Sequence, residues 1–143
     1  MNKQRIGILI AAGLGMIATF MPWIKMGSIL GTFEGTTIDG TKGGDGWITF
    51  GLFAITLLIS LIKDKTKSLK GGLLYVAIIP SIIAAAIGIW EIIDLNSSMS
   101  QEITRMTMAM SGSSASIGFG LYLLVLAGIS IPIIAFVLKN KQE

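Results

Sequence analysis

Glu91 and Asp94 stand three residues apart, so on a helix they share one face. Such a carboxylate pair binds a cation or relays protons when it looks into a protein interior. Trp90 precedes the pair and closes an apolar run, which places the carboxylates at a water boundary, where they need no such role. No acidic residue lies deep in any apolar run, and that argues against a proton-coupled multidrug pump. Met106-x-Met108-x-Met110 offers three thioethers, the soft donors that Cu(I) selects. Steps of two do not share a helical face, so a copper site would need an extended segment there. The thioethers read more simply as part of an amphipathic face. Asp45, between Gly44 and Gly46, reads as a turn or helix-cap residue at the start of a helix.

The residue inventory narrows the chemistry further. There is no cysteine, so disulfides and thiolate chemistry are excluded, and no histidine, so the commonest metal ligand and general base are missing. No phosphate loop, nucleophile–base pair or metal constellation is present. The expectation is a protein that is not an enzyme and carries no cofactor and no metal.

The elements that must position these residues are apolar. Of 143 residues, 52% are apolar and 13% charged, and the mean hydropathy is +0.79, a balance that belongs to an integral membrane protein. Four uncharged stretches run Ile6–Ile24, Gly46–Ile62, Gly71–Trp90 (helical on to residue 95) and Ile117–Leu138. About 20 residues of helix cross a ~30 Å hydrocarbon core. The fold class expected is an all-α membrane protein of one domain, residues 1–143. It would be a four-transmembrane-helix bundle with a small extracellular β-hairpin between helices 1 and 2 and an amphipathic outer segment between helices 3 and 4.

Charge sets the orientation. Lys3 and Arg5 precede the first run, Lys63, Lys65, Lys67 and Lys70 separate the second from the third, and Lys139 and Lys141 follow the fourth. The positive-inside rule then places both termini in the cytoplasm and makes this a multi-pass plasma-membrane protein. The basic pI near 9.3 follows from these lysines and not from nucleic-acid binding. The first run is too long for the ~7–15-residue apolar region of a signal peptide and reads as an uncleaved span. Trp23 falls where an interfacial aromatic is expected, beside Pro22, which helps end the helix. Ala11-x-x-x-Gly15 is a small-residue face that reads as packing within the chain, with a dimer face as the alternative. Pro80 and Pro132 each free a carbonyl four residues back, those of Val76 and Gly128, which Ser81 and Ser130 would re-satisfy.

Outside the spans, Ser28–Phe33 and Thr36–Ile38 are rich in β-formers around Glu34-Gly35 and predict the hairpin. It reads equally as an exposed recognition loop and as a cap over the helix ends. Beyond Trp90, Ile92, Leu95, Met99, Ile103, Met106 and Met110 recur at helical spacing opposite Asp94, Ser98, Gln101, Glu102 and Arg105. Ser98-x-x-Gln101 resembles a capping box, so Met99–Met110 is expected as a separate surface helix with Ile103, Met106 and Met110 facing down. A tall hairpin of two helices is the alternative. The expected interaction surface comprises Phe33, Glu34, Asp39, Lys42, Asp45, Trp47, Glu91, Asp94, Glu102 and Arg105.

Three local patterns, Phe20-Met21-Pro22-Trp23, Gly43-Gly44-Asp45-Gly46-Trp47 and Gly118-x-Gly120-x-Tyr122-Leu123, occur together. The set resembles small, uncharacterised four-helix membrane proteins of Gram-positive bacteria. That resemblance implies a plasma-membrane location and supplies no activity. The outline also looks like tetraspan junction proteins, in architecture alone, because their cysteine pair is absent.

The functional expectation is a non-enzymatic accessory or binding protein. Its outer face would engage a membrane or extracellular protein, a peptide or a lipid, with immunity against a membrane-active peptide as one form. Its partners would be the lipid bilayer and such a ligand, with no nucleic acid, and a homo-oligomer is open to it. The alternative is a small oligomeric transporter or channel resting on Pro80, Pro132 and the Glu91/Asp94 pair.

Overall fold

The computed structural model describes residues 2–28, 36–62, 67, 69, 71–107 and 113–140. Side chains are described for these except at 26–28, 36, 43, 99–107, 113–115 and 139–140. The elements follow the order α1 (Lys3–Phe20), β1 (Pro22–Ser28), β2 (Thr36–Asp39), α2 (Gly40–Gly43, one turn), α3 (Asp45–Leu61), α4 (Gly72–Thr107), β3 (Ser113–Ile117) and α5 (Phe119–Asn140). α1 packs on α5 and α3, and α4 packs on the same two helices. The strands form an antiparallel sheet in the order β2-β1-β3 at one end of the helices, here called the sheet end. The opposite end carries the start of α1 and the end of α5.

The core is built inside out by the standards of a water-soluble domain. Ala11, Ala12, Ala77, Ala84, Ala127 and Ala135 are buried, while Ile10, Ile17, Ile82, Leu126, Ile133 and Phe136 point outward. Large apolar side chains face outward at no cost only where the surroundings are themselves apolar, and small ones inside let helix backbones approach. Among the described residues, three helices are long and apolar enough to cross a membrane: Lys3–Phe20, Gly72–Ser98 and Phe119–Leu138. Asp45–Leu61, at 17 residues, is apolar and shorter. The chain is a membrane protein by length, composition and this inverted burial.

Small residues set the close helix contacts. A Cβ on Gly15 would lie 2.6 Å from the Phe53 ring of α3, and one on Gly7 2.7 Å from Ile134 of α5. The Ala11/Gly15 face is therefore covered from within the chain. Thr56 Oγ1 donates to Leu52 O in its own helix at 3.1 Å and to Ala77 O of α4 at 3.2 Å. α4 and α5 run continuously through Pro80 and Pro132. Ser81 Oγ donates to Ile78 O (2.7 Å) and Ser130 Oγ to Ala127 O (2.9 Å), three residues back. The expected rescue of Val76 and Gly128 is corrected accordingly: a hydroxyl on this short side chain bonds the carbonyl of the preceding turn instead.

Four boundaries differ from the sequence reading. The first helix ends at Phe20, not Ile24, because Met21–Ile24 already runs extended into the sheet; Pro22 opens β1. The hairpin exists, but its first strand is Pro22–Ser28 rather than Ser28–Phe33; residues 29–35, with Phe33 and Glu34, lie outside the described residues. A third strand, Ser113–Ile117, not expected from the sequence, precedes the last helix, which starts at Phe119 and not at Ile117. Finally, Met99 does not start a separate surface helix. α4 is one helix of 36 residues to Thr107, since Asn96-Ser97 costs too little propensity to stop a chain free of Gly and Pro there. From Trp90 to Thr107 it rises about 25 Å. Phe119 comes twelve residues after Thr107, and Ser113–Ile117 between them form β3; a chain of that length can reach up to about 40 Å, enough for the tall arrangement to close. The side chains of Ile103, Met106, Glu102 and Arg105, and all of Met108 and Met110, lie outside the described residues.

Candidate functional site

The three glycine and aromatic motifs converge at the sheet end and interlock. Trp23 is buried rather than interfacial: its indole Nε1 donates to Ala18 O at 3.0 Å, which satisfies one carbonyl that the end of α1 leaves open. Gly40 lies against the Trp23 ring, with no room for a Cβ, and Gly46 lies as tightly against the Gly40 backbone. Gly118 N donates to Trp23 O at 2.6 Å, and a Cβ there would run into the Pro22 carbonyl. Gly120 abuts Met21 in the same way. Backbone thus touches backbone where α1 meets β1, α2 meets α3 and β3 meets α5. The glycines and Trp23 of these motifs build a collar.

Outside this collar, Phe20, Trp47 and Phe50 stack edge to face, with centroids 5.5 to 6.4 Å apart. Trp47 and Trp90 are exposed, so these, and not Trp23, are the tryptophans available to an interface. Asp39 caps the single turn α2. Its carboxylate accepts from Thr41 Oγ1 and from Lys42 N, and Lys42 Nζ lies 4.0 Å away. The Thr41 hydroxyl, ahead of the charge on Lys42, holds the Asp39 carboxyl below its ordinary range.

The expected cap at Asp45 is corrected. Gly44, at φ 91°, occupies the cap position of α3 with no side-chain bond, and Asp45 is the first helical residue. Only glycine adopts that backbone without strain. As a first-turn carboxylate, Asp45 faces the positive end of the helix dipole. The structure also makes Asp45 a neighbour of Glu91 across α3 and α4, with Asp94 close enough to act on Glu91 by charge. The sequence pairs Glu91 with Asp94; the structure adds Asp45 as the nearer partner. Below them a furrow of about 490 Å³ runs between α3 and α4, lined by Asp45, Ile48, Ile82, Ile83, Ala86, Ile87 and Trp90.

The opposite end holds a polar group that sequence reasoning assigned to topology alone. Arg5 is 3% exposed; its Nε donates to Lys67 O (2.7 Å), and one terminal nitrogen donates to Ser60 O (3.0 Å) and Ile62 O (2.7 Å). Gln4, fully buried, donates to Ala135 O at 2.6 Å and accepts from Leu69 N at 2.8 Å. Two adjacent residues of α1 thereby hold the end of α3, the segment after it and α5. The signal was present in the sequence: a Gln-Arg pair inside the first turns of an apolar helix must find partners.

No protein-family model matches the chain, and no curated protein matches its sequence.

Proposed function

We propose that this is a non-enzymatic plasma-membrane protein with four spans, both termini cytoplasmic, whose outer face engages a protein, peptide or lipid partner. α3 serves as the fourth span: 17 residues rise about 26 Å, and exposed Trp47 at one end with lysines at the other adjusts the shortfall. Lysines flanking the termini and filling residues 63–70 support the orientation. The likeness to small Gram-positive membrane proteins agrees with this placement.

The observation that carries the reading is the collar. It fixes a sheet made from a hairpin and a strand remote in sequence onto the helix ends, so the outer surface has a defined shape relative to the spans. A passive cap over helix ends needs no such rigidity. A transport path would need polar groups left open at mid-depth. Instead, the buried hydroxyls of Thr49, Thr56, Ser60 and Ser81 each donate to a backbone carbonyl.

Two measurements test this. Thr37→Cys should react with an impermeant thiol reagent added to intact cells, and Lys67→Cys should react only after lysis; the reverse pattern overturns the topology. A photo-crosslinking residue at Lys25 or Thr37, both exposed, should give a discrete protein or peptide adduct in cells, whereas one at Ile129 should give lipid adducts alone. Identical adduct patterns from the three positions would remove the outer-face reading.

A further inference from the structure

We propose that the furrow between α3 and α4 binds one membrane lipid with a primary-ammonium headgroup, its chain along the isoleucines and its ammonium at Asp45 and Glu91. The proposal rests on α3 and α4 lying in the bilayer and is independent of any outer-face partner.

The furrow, about 490 Å³, is of a size that holds a small ligand. From Ile82 to Trp90 it follows two turns of α4, roughly 12 Å, in the direction an acyl chain takes. Its walls are Ile48 on one helix and Ile82, Ile83, Ala86 and Ile87 on the other, with no polar side chain below Asp45. This is a slot for a hydrocarbon chain with one polar end.

That end is acidic. Asp45 and Trp90 line it, and Glu91 follows Trp90 on α4 as a neighbour of Asp45; carboxyls so placed either hold a proton between them or draw in a cation. Asp94 adds a third carboxyl one turn on. Lys42 is paired with Asp39, and the charged groups that act on Glu91 are the carboxyls of Asp45 and Asp94. The three donors of a primary ammonium suit several carboxylate oxygens at once. Trp90, 71% exposed at the mouth, adds an aromatic face to which a cation is attracted. A quaternary ammonium has the charge without the N–H donors, and an anionic headgroup is repelled.

Native mass spectrometry of the purified protein, equilibrated with equal phosphatidylethanolamine, phosphatidylcholine and phosphatidylglycerol, reads the selection directly. The wild type should retain one phosphatidylethanolamine, enriched about tenfold over the other two. Asp45→Asn with Glu91→Gln should abolish the enrichment, and Glu102→Gln should keep it. Ile83→Trp, which fills the slot without touching the carboxyls, should lose the retained lipid, and so covers the case in which the double variant does not fold. Equal retention of the three lipids, preference for phosphatidylglycerol, or enrichment that survives Asp45→Asn/Glu91→Gln or Ile83→Trp would overturn the proposal.

Discussion

Replacing Arg5 with alanine should cost about 3–5 kcal/mol of stability, the scale of leaving buried hydrogen-bonding groups without their charged partner. Three carbonyls, those of Ser60, Ile62 and Lys67, accept from this one guanidinium. Two of them belong to the end of α3, where carbonyls lack helical partners and a cation meets the negative end of the dipole. The fork also ties α1 to the segment after α3, so the loss falls on tertiary packing as well as on one helix end. Arg5→Lys keeps the charge and a long stem but cannot direct three bonds from a planar fork, and should recover only part of the loss. Thermal or denaturant unfolding in detergent micelles reads the series. A wild-type transition in Arg5→Ala would mean that the guanidinium serves topology and nothing else.

The second large effect belongs to the collar. Gly118→Val should cost about 3 kcal/mol or more, because the obstacle to its Cβ is the Pro22 carbonyl and the backbone beyond it, which no rotamer change can move. Forcing them apart also strains the bond from Gly118 N to Trp23 O. Gly13 is the control: nothing lies within 4 Å of a Cβ built there, and it sits inside a helix. Gly13→Ala should therefore be neutral or stabilising by roughly 0.4–1 kcal/mol. Equal shifts from the two substitutions would show that the contact at Gly118 is not a constraint.

Much of the scaffold was legible because hydropathy along a helix is a local property. Three long apolar helices, the small-residue faces and the prolines were read from short windows. The third strand was not, because Ser113–Ile117 holds few residues that favour strands and becomes one by pairing with β1, remote in sequence. Trp23 misled for a related reason: a tryptophan at the end of an apolar run marks an interface unless tight glycines create a place to bury it, and Gly40 lies far down the chain. At the candidate site, Glu91 and Asp94 were visible as a spacing on one helix. Their meeting with Asp45 depends on how α3 docks, which no local pattern encodes. Arg5 was counted as a charge, and its bonds to carbonyls of other elements could not be.

The sheet order β2-β1-β3 has a consequence for how the chain is made. β1 and β2 lie close together and emerge early, so α1, the hairpin and α3 form a unit whose strand pairing is complete on one side. The other side of β1 waits until residues 113–117 leave the ribosome, after all of α4. β3 then closes the sheet in the same stroke that sets the first residues of α5 against Met21 and Ala18. The second pair of helices is thus latched to the first only after α4 has been made. Until that latch closes, the nascent chain presents an open strand edge at the sheet end, and that interval is when it is most exposed to mispairing and to proteases.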